Sequence, residues 1–150
     1  MTSLIDANII IRYLLGDHKE LSPQATRIFE QVEQAEKQAI ILDAVVMEVF
    51  FVLHKFYKIP KAKVLEDLKT ILSFNGVINE DKFQIIEALN IVLYKNLDFV
   101  DALLCVKSKH YGLELLSFDQ KLLKRCFDSK SELELPDRKE PDREPPFVND

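Results

Sequence analysis

Short apolar runs alternate with helical patterns along most of this chain, and this alternation constrains the fold more than any other feature. Apolar residues between the runs recur at helical spacing, as in Ala25, Phe29 and Val32. Strands separated by helices favour a parallel sheet covered by helices on both faces. We therefore predict an α/β fold, a three-layer α/β/α sandwich around a parallel sheet of four or five strands. The predicted strands are Thr2–Ile5, Ala39–Leu42, Gly76–Ile78 and Leu113–Leu116.

Local signals predict where the intervening helices begin and end. Ser22 is a candidate N-cap with Pro23 in the first turn, and Gly16 and Gly112 are candidate helix ends. Asp43 and Asp98 are further candidate caps. The predicted helices run over 6–15, from 22, from 43 to about 57, over 60–72, from about 80 to 95, over 98–112 and from about 119.

Length and charge indicate one domain with a different C-terminal segment. The 150 residues suit a single domain, which we place at residues 1–130. Residues 131–150 hold four of the six prolines, with seven acids and three bases. This composition predicts a poorly ordered acidic tail, or an extended arm that docks on a partner. The rest of the chain is nearly neutral, so bulk charge does not indicate a nucleic-acid binder.

Several function classes are disfavoured by composition. No apolar run reaches the roughly 18 residues of a membrane span, and the N-terminus does not resemble a secretory signal. Three glycines do not form a phosphate-binding loop. Cys105 and Cys126 are too few and too scattered for a disulfide framework or a zinc site. We expect a protein of the reducing cytoplasm, with Cys105 as a small core residue.

Two aspartates directly follow predicted strands. Asp6 comes after the first strand and Asp119 after the fourth. Open α/β sheets bind their ligands at the carboxyl ends of the strands, so both residues are candidate site residues. Each could instead be a simple N-cap that satisfies free backbone amides.

Further acids lie within apolar helical segments. Glu48 is the one polar residue in Ala44–Leu53, so it faces either a polar cleft or a narrow wet stripe that it shares with Lys55. Asp98 and Asp101 have the spacing of a capping box, which explains Asp98 better than Asp101. Two carboxylates at a helix start also suit a cation.

The combination of these acids is more informative than any one of them. Carboxylates that share a site repel one another and raise one another's pKa, and a divalent cation removes that conflict. Ligands that are all oxygen suit Mg²⁺ or Mn²⁺. Such an ion can activate water for phosphoester hydrolysis.

The pattern resembles the PIN domain family, and within it VapC-type toxin ribonucleases, over roughly residues 1–127. The motifs that carry the resemblance are Ile5–Asn8, Val45–Val49, Leu97–Leu104 and Ser117–Asp119. It implies a Rossmann-like sandwich, a Mg²⁺- or Mn²⁺-dependent endoribonuclease that cleaves RNA, a homodimer and a cognate antitoxin protein.

Carried over by position, Asp6, Glu48, Asp101 and Asp119 match the acidic quartet of that family. Asp6, Asp101 and Asp119 would hold the metal, and Glu48 would ligate it or position the attacking water. The supporting residues would be Asn8, Asp98 and Ser117. Lys55, Lys58, Lys61 and Lys63 form the densest basic stretch and could contact the RNA backbone, or simply form a solvated face.

Three other classes of protein share part of this pattern. A haloacid-dehalogenase-like phosphatase needs a second aspartate two residues after the first, where this sequence has Asn8. A receiver domain needs an acidic pair after the first strand, and this pair is not apparent here. The strongest rival is a non-catalytic PIN-like module that binds RNA or a protein partner. Four retained carboxylates favour the nuclease over that rival.

Overall fold

The computed structural model describes residues 1–127, which form two compact units divided after Lys82. The predicted boundary near residue 130 and the predicted tail at 131–150 lie outside the described residues. In the described part of the chain, no helix is long and apolar enough to cross a membrane.

The first unit contains a small parallel sheet. Strand β1 (Ser3–Leu4) pairs with β2 (Ala39–Ile40) in parallel, with Ser3 opposite Ala39. Val77 adds an isolated parallel bridge to Ala39. Two of the predicted strands are thus confirmed in shortened form, and the predicted strand Gly76–Ile78 is reduced to this bridge. However, residues 1–127 contain two strands and this bridge in place of the four or five strands expected.

The hydrogen-bonding pattern of β2 continues past the end of the strand through the side chain of Asn79. The Ile41 amide donates to Asn79 Oδ1 at 2.9 Å, and Asn79 Nδ2 donates back to the Ile41 carbonyl. The primary amide therefore acts as one more peptide unit of the ladder. Gly76 is required nearby because a Cβ at this position would overlap the carbonyl oxygens of Val32 and Lys37.

Four helices and one π-helical turn complete the first unit. Helix α1 packs on α2 and α3, and α4 packs on α3. Their buried faces share large apolar side chains such as Ile10, Phe29 and Leu68. The elements are α1 (Ala7–Leu15), α2 (Leu21–Glu33), α3 (Asp43–Phe51), the π-helical turn (Val52–Phe56) and α4 (Lys61–Leu72).

Two helix starts differ from the prediction. Helix α2 begins at Leu21, because His18 Nδ1 accepts from the amides of Glu20 and Leu21 at 3.3 and 3.0 Å. Ser22 is not the cap, since its hydroxyl donates to the carbonyl of Arg12 at 2.8 Å. Asp43 lies inside the first turn of α3, which Leu42 precedes as the N-cap.

The second unit is built from α5 (Lys82–Lys95), α6 (Phe99–Tyr111) and α7 (Gln120–Cys126). Asp98 and Gly112 bound α6 as predicted. Lys95 Nζ donates to the Arg125 carbonyl at 2.9 Å, and Arg125 Nη1 donates to the Lys95 carbonyl at 2.6 Å. These reciprocal bonds tie the end of α5 to α7.

The predicted fourth strand, Leu113–Leu116, is not a strand in the structure. The Leu113 amide donates to the Ser108 carbonyl at 2.9 Å, and the Leu113 carbonyl accepts from the Ser108 hydroxyl. Both backbone groups of Leu113 are thus committed to the end of α6 rather than to a neighbouring strand.

The two cysteines are paired, although their number and spacing in the sequence do not suggest a disulfide framework. Cys105 on α6 and Cys126 on α7 form a disulfide with their Cα atoms 5.2 Å apart. Both are buried in a cluster with Leu97 and Leu122. The pairing joins two residues 21 positions apart and holds α7 against α6.

Candidate functional site

Asp6 lies immediately after β1, at the N-cap position of α1. Its backbone is extended, but its side chain makes no capping hydrogen bond, and it is exposed. The helix-cap explanation for this carboxylate therefore fails. Asp6 is an exposed carboxylate at the start of α1, where the backbone amides favour negative charge.

Glu48 lies on α3 between the buried residues Val46 and Val49 and is itself exposed. Within residues 1–127 it forms no ion pair with Lys55. Seven residues correspond to a rise of about 10 Å along a helix, which separates the two charged groups. Like Asp6, Glu48 carries a carboxylate that the local fold does not use.

Asp98 is the N-cap of α6, and its side chain accepts from the Asp101 amide at 2.8 Å. Asp101 lies in the first turn of the same helix and is half-buried. Burial raises the pKa of Asp101 to about 6, with further contributions from the charges of Asp98 and Asp119 and from a hydrogen bond with Asp98. These three carboxylates of the second unit therefore interact.

Asp119 is the exposed N-cap of α7, and its side chain accepts from the Leu122 amide at 3.1 Å. The Ser117 hydroxyl accepts from the Asp119 amide at 2.9 Å. Ser117 thus fixes the backbone of Asp119 rather than contacting its carboxylate. The local turn orients the acid indirectly.

Asn8 lies in the first turn of α1 and is exposed. Its Oδ1 accepts from Arg12 Nε at 3.5 Å, and Arg12 Nη1 pairs with Asp17 at 3.4 Å. Sequence reasoning did not single out Arg12. The spacing of four residues between Asn8 and Arg12 on a predicted helix was the signal that could have found it.

The predicted RNA-contacting lysines lie at and after the π-helical turn. Lys55 is within the turn and exposed, and Lys58 follows it with a positive φ of 61°. Lys61 is the first residue of α4 and is half-buried. Lys63, also on α4, pairs with Asp67 at 3.0 Å.

The donor set has the chemistry of a magnesium or manganese site. Asp98, Asp101 and Asp119 supply only oxygen, and their mutual repulsion is the conflict that a divalent cation relieves. In the described residues, however, no group of three or more histidine, cysteine or acidic side chains is arranged to hold a metal ion. The chemistry of the acids fits such an ion, while their spacing is not that of a preformed site.

The sequence matches a known class of protein domain. The profile of the PIN domain matches residues 3–128, and this chain belongs to the PIN domain family. Among curated proteins, it is similar to a VapC ribonuclease of Aquifex aeolicus (strain VF5). The two are 26% identical over 125 residues, which cover 83% of this chain and 92% of the relative.

Proposed function

We propose that this protein is a Mg²⁺- or Mn²⁺-dependent endoribonuclease that hydrolyses RNA phosphodiester bonds. The observation that carries the proposal is the state of its acids. Asp6 and Glu48 are exposed carboxylates that make no bond supporting the fold. Asp101 is half-buried near Asp98 and Asp119, whose negative charges contribute to the rise in its pKa. The similarity to a VapC ribonuclease and membership of the PIN family support the same activity.

In this proposal Asp6, Asp101 and Asp119 hold the metal, and Glu48 ligates it or orients the attacking water. When bound, the metal lowers the pKa of that water and neutralises charge on the cleaved phosphate. Asp98 supports Asp101 through the capping bond, and Ser117 fixes the backbone that carries Asp119. Asn8, held by Arg12, is available to hydrogen-bond a water or a carboxylate.

The partners follow from the same proposal. Lys55, Lys58 and Lys61 would contact phosphates of the RNA. As in toxin–antitoxin pairs, the protein would act as the toxin, work in the cytoplasm as a homodimer, and be restrained by a cognate antitoxin protein. The name of the A. aeolicus relative supports the toxin assignment.

A second candidate is a non-catalytic PIN-like module that binds RNA or a protein. One observation favours it, since residues 1–127 contain no preformed group of three metal-ligating side chains. The two candidates differ in whether RNA is cleaved.

The deciding experiment incubates the purified protein with a pool of tRNA and ribosomal RNA, with Mn²⁺ or with a chelator. An Asp6→Asn, Asp101→Asn double variant is run in parallel, with Glu36→Gln as a control, since Glu36 is an exposed acid outside the set. We expect cleavage that needs Mn²⁺, is lost in the double variant and persists in the control. Mn²⁺ binding by calorimetry without cleavage would favour the binding module. Absence of both would refute the metal-site proposal.

A further inference from the structure

The segment that follows Glu48 has an unusual charge for this protein. Residues 49–65 contain four lysines and no acid, although the whole chain has a net charge of −5. Lys55 and Lys58 are exposed, and neither forms an ion pair within the described residues. This surface is locally suited to a polyanion even though the chain as a whole is acidic.

The π-helical turn places an aromatic side chain on this basic surface. The Tyr57 amide donates to the Val52 carbonyl at 3.0 Å, which is the five-residue bond of a π-helix. Phe56 is the last residue of this turn and lies between Lys55 and Lys58 in the sequence. Phe51 and Phe56 are 61% and 75% exposed.

The exposed ring of Phe56 contacts the ring of Tyr57. The two rings meet edge to face, with centroids 5.3 Å apart at 80°. The turn is closed by the Ile59 amide donating to the Leu53 carbonyl at 3.0 Å, and His54 Nδ1 donates to the Ile59 carbonyl at 2.9 Å. These bonds fix the backbone that carries both rings, which lowers the entropy lost when a flat ligand stacks on them.

We propose that Phe56 and Tyr57, flanked by Lys55 and Lys58, form a stacking site for an unpaired base of single-stranded RNA. Aromatic faces bind bases of any identity, while lysines contact the adjacent phosphates. A duplex does not suit this site because its bases are already stacked. The exposed Lys55 and Lys58, which form no ion pair within the described residues, also favour RNA over an apolar protein surface.

This stacking site adds a substrate-binding element to the proposed function. Its assignment to RNA rests on that proposed function. Glu48 and Phe56 lie in the same unit, on one continuous helical segment. Their eight-residue separation corresponds to about 12 Å along a helix. RNA held on Phe56 would therefore pass close to Glu48, and the stacking site would select unpaired segments for cleavage.

The test measures binding without cleavage. A single strand of about 12 nucleotides that contains 2-aminopurine is titrated with the wild-type protein in a chelator, because stacking on an aromatic ring quenches this base. We expect Phe56→Ala to weaken binding about tenfold and to abolish quenching. Phe56→Tyr should retain both. Phe83→Ala is the matched control, since Phe83 is 70% exposed on α5.

The lysines provide a second measurement on the same site. Lys55→Ala together with Lys58→Ala should reduce the slope of log affinity against log salt by about 1.4, as expected for two contacts to a single strand. Quenching at saturating protein should persist in this variant, because the aromatic rings remain. Circular dichroism checks that each variant keeps its helices.

Several results would overturn the stacking site. One is a Phe56→Ala variant that binds the single strand as well as the wild type does. Another is equal affinity of the wild type for duplex and single strand, or no binding of either. Self-association or binding to another protein that depends on Phe56, with RNA binding unchanged, would make the surface a protein interface instead.

The design also separates this inference from the proposed nuclease activity. Phe56-dependent binding in the chelator, without cleavage in Mn²⁺, would uphold the stacking site and reject the nuclease. Cleavage of single-stranded RNA by Phe56→Ala with an unchanged KM would uphold the nuclease and reject the stacking site.

Discussion

The acids of the two units differ in what they do for the fold. Asp6 and Glu48, which we term the first-unit pair, are exposed and make no bond that supports their helices. Asp98, Asp101 and Asp119 form the second-unit trio. Asp98 and Asp119 each cap a helix, and their charges repel that of Asp101. A carboxylate that the fold does not need is available to a ligand at no structural cost. A carboxylate that caps a helix contributes to stability whether or not a ligand is bound.

The largest expected effect tests whether the first-unit pair serves activity alone. Asp6→Asn should reduce RNA cleavage about 100-fold or more, because in the proposed function Asp6 is a metal ligand and the substitution removes its negative charge. The free energy of unfolding should stay within about 0.5 kcal/mol of the wild type, since the side chain makes no capping bond. Cleavage assays and urea denaturation measure the two. A clear loss of stability would show that Asp6 also supports the fold, which would contradict the difference between the acids of the two units.

The second prediction tests how much the disulfide between α6 and α7 stabilises the helices that carry the second-unit trio. Reduction of the Cys105–Cys126 disulfide should lower the free energy of unfolding by about 3 kcal/mol, given the 21-residue separation. Denaturation with and without a reductant measures this, and a Cys105→Ala, Cys126→Ala variant should be insensitive to the reductant. Alkylation of freshly lysed cells followed by mass spectrometry would show whether the pair is oxidised inside the cell. A reductant effect that persists in the double variant would contradict the prediction.

The third prediction separates the two roles of Asp119. Asp119→Ala should cost about 1 kcal/mol of stability, because the bond from the Leu122 amide is lost. Asp119→Ser should recover most of that stability, since serine is a good N-cap, while cleavage stays low in both variants. Thermal unfolding and cleavage assays provide the comparison. Recovery of cleavage by serine would mean that Asp119 serves the fold alone.

The smallest effect concerns Asp101 and pH. Its pKa in the folded state, about 6, lies above the ordinary value of 3.8. The folded state therefore retains this proton longer, so its contribution to stability falls as pH rises from about 4 to 6. Asp101→Asn should stabilise the protein by about 1 kcal/mol at pH 8, after allowing for solvent screening, and not at all below pH 4. A variant less stable than the wild type at pH 8 would refute the repulsion.

Sequence patterns predicted most helices because their end signals act locally. Asp98 as a cap and Gly16 and Gly112 as left-handed ends need only their own neighbours. Leu113–Leu116 was mispredicted because a strand depends on a distant partner, whereas Ser108 offered Leu113 a local one. The π-helical turn was missed because its residues also read as an ordinary apolar helix.

The candidate site was predictable in its residue types and less so in their local roles. Sequence could identify Asp6 and Glu48 as unusual, but could not tell a cap from an unused carboxylate. The capping bonds settle this for Asp6 and Asp119, with opposite results. The disulfide was equally hidden, because cysteines 21 residues apart give no spacing signal.

The side chain of Asn79 has a consequence for how the short sheet can end. Ile41 is buried, so its backbone amide and carbonyl on this side could not turn to water for a partner. Both are bonded to the primary amide of Asn79. A single asparagine thus lets the ladder stop inside the protein without leaving buried backbone groups unpaired.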